Sequence, residues 1–366
     1  MSKNNTLRVV CVPVGGETFT AARDRIYIYF DTWKEYGIEA TAIPWRFMIS
    51  KQEKTALYQK IVKEAKNHDI VYLFRAMVPA KWMRRLRENA KCLVWDFDDA
   101  IYHVPSTQCS EAFPQSRSIP EKIKQVYRLC ARQNRYYSAR QPILNQILKN
   151  CDGVVAGNKV LAKYSSQFVE RHVIAPSPID VTNISAKQHN GTKTVVVGWT
   201  GTPSNINYLE TYKEAFRKLG DKYGGRVKLK VVSQPRAIDI DGINLEFRQW
   251  TPEIDKSVLM TFDIGIMPLT NDGWSAGKCG FKALLCMGAN LPTVVSPVGI
   301  NTEIIKDGQN GFHAATDEEW AEKLGHLIED AHLRKVLGEN GRQTVLTEYS
   351  REAIQPRIAA FLHKLV

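Results

Sequence analysis

The feature that most limits how this chain can fold is an alternation, repeated twice, of short apolar runs with longer amphipathic stretches. In the first half the runs are LRVVCVP (7–13), IEATAIP (38–44), DIVYLF (69–74), KCLVWDF (91–97) and DGVVAGN (152–158). In the second they are TVVVGW (194–199), VKLKVVS (227–233), LEFRQW (245–250), DIGIMPL (263–269) and LPTVVSP (291–297). Short β-branched runs without a polar face suit strands covered on both sides. The stretches between them read as helices; in 51–67, for example, Leu57, Ile61, Val62 and Ala65 share one face. The pattern predicts an α/β protein of two doubly wound domains on parallel sheets, and 366 residues are enough for two such cores.

The joint falls in the proline-containing, aperiodic stretch 174–194. The expected division is an N-terminal domain 1–180, a linker 181–193, and a second domain 194–349. A helical segment 350–366, interrupted by Pro356, is expected to pack back on the first domain. Ligands of open parallel sheets bind beyond the carboxyl ends of the strands, so with two sheets the natural site is the cleft between them.

Charge separates the halves. Up to Asp180 there are 28 basic and 17 acidic residues, and after it 22 and 21, so a net +11 faces a net +1. A basic half beside a neutral one points to an anionic partner for the first domain. No apolar run is long enough to cross a bilayer, and the first one reads as a strand rather than a secretory signal. The seven cysteines are scattered without a C-x-x-C pair, which suggests neither a zinc site nor a disulfide framework. The expectation is a cytoplasmic protein with reduced thiols.

Three motifs follow strands in the second half. Gly201 and Thr202 succeed TVVVGW, where small residues let the backbone approach a ligand at the start of a helix. After DIGIMPL, Gly277 and Lys278 precede an apolar helix, with Lys282 four positions on and expected on the same helical face. Two lysines at a helix N-terminus oppose the macrodipole and make sense beside an anion such as a diphosphate. After LPTVVSP come Gly299, Asn301 and Glu303, where Thr302 is expected to cap a short helix and the backbone amides to offer a phosphate or hydroxyl site. Trp250 ends its strand either near a nucleobase or in the core.

From about Thr194 to Ser350 the chain resembles the donor domain of retaining GT-B glycosyltransferases, family 4-like (glycosyltransferase group 1). The matching stretches are GWTGTPSN, W-T-P-E before FDIGIMPL, GKCGFK running to M-G-x-N-L-P-T-V-V-S, and SPVGINTEIIKDGQNGF. In place of the family's two glutamates eight positions apart stand Gly277 and Leu285, as in a subgroup with G-K-x-G-x-K. The resemblance implies the GT-B fold, two Rossmann-like domains facing across a cleft. It also implies a nucleotide-diphosphate-sugar donor, no required cofactor or metal, and retention of anomeric configuration.

In the first half, Gly15 and Gly16 follow the first strand, the place of a loop beneath the donor sugar. Arg23, Arg25, Arg75 and His103 are acceptor-side candidates. The motif DFDDA closes the fourth strand, with Asp96 and Asp98 expected on one side of it and Phe97 on the other. Its carboxylates allow three readings: a metal site, ion pairs with Arg75 and Arg23 or Arg25, or hydroxyl ligands in which Asp98 and Asp99 face the substrate. The segments 79–91 and 121–149 combine bases with aromatics (Trp82, Tyr127, Tyr136, Tyr137), which suits an anionic membrane surface. No nucleic-acid-binding signature accompanies them.

The expected activity is sugar transfer to a hydroxyl acceptor, lipid-linked or another precursor of a cell-surface polysaccharide, at the inner face of the cytoplasmic membrane. Lys278 and Lys282, with amides near Gly201 and Gly299, would stabilise the departing diphosphate. The alternatives are a non-catalytic nucleotide-sugar-binding subunit of a partner transferase, and a nucleotide-sugar epimerase of the same fold.

Overall fold

A computed structural model describes residues 6–46, 49–103, 139–189, 191 and 193–366. Among these, the chain divides into two compact units, one up to His103 with 139–178 and Arg351–Val366, the other Ile179–Ser350.

The first unit is a parallel six-stranded sheet in the order β2-β1-β3-β4-β5-β6. Its strands are β1 (Leu7–Pro13), β2 (Ile38–Ala42), β3 (Ile70–Phe74), β4 (Cys92–Phe97), β5 (Gly153–Ala156) and β6 (His172–Ile174). In β1, Val9, Val10, Cys11 and Val12 are all fully buried, as the absence of a polar face in the sequence requires. The helix Lys51–Ala65 starts at a capping box, in which Glu53 N–H donates to Ser50 Oγ at 3.2 Å and Ser50 N–H to Glu53 Oε2 at 2.7 Å. Helix Arg351–Leu365 runs continuously through Pro356 rather than breaking there. Ile354 lies before the proline and Ile358, Ala359 and Leu362 after it; all are buried in this unit's core, and this packing offsets the lost backbone bond.

The second unit is also parallel and six-stranded, in the order β12-β11-β10-β7-β8-β9. Its strands are β7 (Val195–Thr200), β8 (Val227–Ser233), β9 (Asn244–Gln249), β10 (Ile264–Met267), β11 (Thr293–Val295) and β12 (Phe312–His313). Read from β9, the succession is that of a Rossmann sheet, with its reversal between β7 and β10. Gly198 shows why the pattern needs small residues inside strands: a Cβ there would lie 2.0 Å from the ring of Phe262. Two strands escape the sequence reading, β6 and β12, which at three and two residues are too short for any period to register. Each unit is therefore the doubly wound α/β sheet that the alternation predicts.

Candidate active site

In a doubly wound sheet the ligand position is the strand pair where the order reverses, and in each unit some of the candidate residues follow those strands. In the second unit the pair is β7 and β10. Gly201 leaves β7 and runs into the turn Pro203–Asn205, which Arg236 holds by donating to the Pro203 carbonyl at 2.7 Å. The chain leaving β10 forms the short helix Gly273–Ala276, capped by Asp272, whose Oδ1 accepts from Ser275 N–H at 2.8 Å.

The two lysines do not share a helical face. The following helix is Phe281–Gly288, and the residue before it, Gly280, has φ 67°, so Lys278 lies in the turn and only Lys282 in the first helical turn. The ammonium of Lys278 sits 5.5 Å from the Trp274 ring centre and 5.7 Å from that of Tyr208. That of Lys282 is 5.5 Å from the Trp199 ring. A Cβ on Gly201 would lie 2.7 Å from Lys282 Cε and 2.6 Å from Trp199, so this glycine is what lets Lys282 lie along the end of β7. Lys278 and Lys282 thus come to the reversal point of the sheet from different local geometries.

The other donor-side candidates are more structural than their positions suggest. The Gly201 N–H is taken by the Val232 carbonyl at 3.0 Å and gives no amide to a phosphate. Gly277 N–H bonds Trp274 O at 3.2 Å and closes its helix. Gly299 has φ 57°, and a Cβ there would strike the Ala276 carbonyl at 2.4 Å, so close backbone packing accounts for the glycine. The N–H groups of Asn301, Thr302 and Glu303 bond the carbonyls of Val298, Gly299 and Ile300, which removes them from the anticipated anion site. Thr302 does not cap the helix; its hydroxyl turns back to Gly299 O at 2.9 Å. Asn301 is fully buried and donates Nδ2 to Ser296 O at 3.0 Å, so its side chain ties the loop together. Glu303 is exposed. Trp250 follows the edge strand β9, packs against the core and donates Nε1 to Asp255 Oδ1 at 3.0 Å.

In the first unit the order reverses between β1 and β3. Gly15, after β1, has φ 83° and is covered by Phe19, an aromatic residue 45 % exposed that the sequence reading passed over. A Cβ added at Gly16 would meet nothing within 4 Å, and the backbone there is unstrained. Gly16→Ala is therefore expected to leave stability within about 0.5 kcal/mol of wild type. A thermal melt checks this, and a loss of transfer at unchanged melting would then report a ligand passing close to Gly16.

After β3, Arg75 adopts φ 51° with its N–H on Asp96 O at 3.0 Å. Its guanidinium binds Asp98 and reaches Asp99 at 2.6 Å. The expected alternation of Asp96 and Asp98 fails because β4 ends at Phe97. Asp96 is buried and accepts from Arg25 Nε and from the Tyr72 hydroxyl, each at 2.6 Å. Asp96 thus turns to partners of its own, while Asp98 and Asp99 share the Arg75 guanidinium. Burial pushes the Asp96 carboxyl up to about 6, against the lowering effect of Arg25 and the Tyr72 hydrogen bond. Arg25, only 2 % exposed, is part of this interior pair and of a 3.2 Å bond to Ser177, so it is removed from the acceptor-side set. Arg23 pairs with its neighbour Asp24 at 2.8 Å rather than with the DFDDA carboxylates. His103 is exposed beside Tyr102, with ring centres 4.7 Å apart. The tyrosine-rich stretch with Tyr127, Tyr136 and Tyr137 lies outside the described residues.

Among the described residues no helix is long and apolar enough to cross a membrane. Residues 193–330 match the family model "Glycosyl transferases group 1". A comparison with curated proteins returns no match. Among solved structures, the chain is similar to sucrose-phosphate synthase from Thermosynechococcus elongatus, at 11% identity and TM-score 0.65 over 98% of this chain and 99% of that one. It is similar to Anabaena HepE, solved with UDP and glucose, at 13% identity and TM-score 0.62 over 98% and 100%. A third is WaaG, a glycosyltransferase involved in lipopolysaccharide biosynthesis, at 16% identity and TM-score 0.63 over 97% and 99%. Residues 193–330 thus match the group 1 model, and the chain shares the GT-B fold of these solved proteins.

Proposed function

We propose that this protein is a retaining glycosyltransferase that moves a sugar from a nucleotide-diphosphate-sugar to a hydroxyl acceptor, metal-independently. The observation that carries the reading is the placement of Lys278 and Lys282 at the order reversal of the group 1 domain's sheet. As the anomeric C–O bond lengthens, negative charge grows on the leaving diphosphate, and two fixed ammonium groups stabilise that state more than the ground state. In a front-face displacement the departing phosphate oxygen takes the acceptor's proton, so the chain need supply no general base. The structure of HepE with UDP and glucose makes a UDP-sugar the first donor to try. Asp98 and Asp99, half-buried and oriented by Arg75, are the groups proposed to accept hydrogen bonds from substrate hydroxyls.

A thermal-shift panel of UDP-, GDP- and dTDP-sugars, followed by transfer assays with the donor that binds, tests this reading. Failure of every donor to bind overturns it. Binding without transfer or hydrolysis would instead favour a non-catalytic subunit.

The acceptor is proposed to be lipid-linked and met at an anionic membrane. In the helix Ala80–Asn89, Lys81, Arg84 and Arg85 are exposed, and the Arg85 guanidinium lies 4.9 Å from the Trp82 ring. Each basic residue near such a surface contributes about 1 kcal/mol. Arg84→Glu with Arg85→Glu is therefore expected to weaken cosedimentation with phosphatidylserine-containing vesicles at least about ten-fold, with no effect on neutral vesicles. Equal binding by wild type and variant would rule this surface out as the site of attachment.

A further inference from the structure

Three aromatic rings from three separate elements lie against the two lysines of the proposed diphosphate site. Trp199 belongs to β7, Tyr208 to the helix Ile206–Glu210 and Trp274 to the helix Gly273–Ala276. Tyr208 is 2 % exposed and its hydroxyl meets Ser275 Oγ at 3.1 Å. Ser275 is itself held by Asp272, through its N–H at 2.8 Å and its hydroxyl at 3.3 Å. The Ser275 carbonyl in turn accepts the backbone N–H of Lys278 at 3.1 Å. One buried serine therefore anchors both the backbone of Lys278 and a ring against which its ammonium lies. Trp274, four residues before Lys278 on the element that Asp272 caps, supplies the second ring.

An ammonium on a four-carbon stem samples many rotamers, and ordering it on binding an anion costs affinity. Ring faces attract the cation without adding a formal negative charge, so they restrict it while leaving its charge for a phosphate. We propose that Tyr208 and Trp274 are positioning residues that hold the Lys278 ammonium ready for a diphosphate, and that Trp199 does the same for Lys282. This deepens the donor reading above and rests on it for the identity of the ligand.

The test is a double-mutant cycle by titration calorimetry on the full chain, with UDP, GDP, dTDP, inorganic pyrophosphate and uridine as probes. Trp274→Leu is expected to weaken the nucleoside diphosphate that binds, and pyrophosphate, about five-fold, and to leave uridine unchanged. In the Lys278→Ala background the same substitution is expected to change nothing, because the ring acts only through the lysine. Tyr208→Phe, which keeps the ring and loses the hydroxyl, is expected to stay within about two-fold of wild type, and Tyr208→Leu to fall as Trp274→Leu does. Should a leucine variant fail to fold, Trp274→Phe carries the cycle with a smaller expected loss. Equal weakening by the tryptophan substitution in both backgrounds, or no weakening in either, overturns the proposal. Pyrophosphate binding without any nucleoside diphosphate would keep the positioned lysine and remove the donor reading. A bound nucleoside diphosphate with additive losses would do the reverse, and no binding of any probe would overturn both.

Discussion

Lys278→Ala is expected to slow sugar transfer by about 10²–10³-fold while the protein melts close to wild type, because fixed charges aimed at a developing anion contribute on that scale. The side chain is half-buried. The loss should appear in kcat and in kcat/KM together, since the diphosphate carries more charge on the bonding oxygen in the transition state than in the bound donor. Lys282→Ala is expected to act in the same direction. A rise in KM alone would show that the lysines bind donor and transition state equally, and unchanged transfer rates would reject their assigned role.

Both lysines were legible as a pair of cations following β10, but not for the right geometric reason. Spacing alone placed them on one helical face. The second glycine of G-K-C-G-F-K, with φ 67° at Gly280, delays the helix until Phe281 and puts Lys278 in a turn. A glycine between two lysines is a signal for such a break, whereas the three rings that meet their ammonium groups come from distant positions and leave no local pattern. The strands were legible because double-sided burial excludes charged residues from both faces, as in β3 and β5. Sheet order was not, since nothing in a strand's composition names its neighbour. Polar residues at loop positions were the least legible. Asn301 looks like a ligand group in sequence, yet it is buried and serves the loop's own carbonyls. Gly299 looks like a phosphate-loop glycine, yet the Ala276 backbone explains it.

Arg25 is the sharpest instance of that ambiguity, and it leads to the second large effect. An arginine at a helix near the end of β1 reads as a substrate contact, but here it neutralises Asp96 inside the first unit, with side chains 2% and 1% exposed. Asp96→Ala is expected to cost about 3–5 kcal/mol, because it leaves a buried guanidinium without its counter-charge and the Tyr72 hydroxyl without its acceptor. Adding Arg25→Met to that variant should restore much of the loss in a urea-unfolding series, since two apolar groups replace a pair whose desolvation is costly. A further loss on adding Arg25→Met would refute this account of the pair. The sign of the pH dependence follows from the same burial. The folded carboxyl is raised from 3.8 to about 6, so between those values the folded state holds more protons than the unfolded state. Stability contributed by this group is then greatest below the unfolded value and is lost as pH rises through the folded one. Wild type is expected to gain stability relative to Asp96→Asn, which has nothing to titrate there, as pH falls from about 6 to about 4. Parallel unfolding midpoints for the two proteins across that window would show that Asp96 keeps an ordinary carboxylate pKa despite its burial.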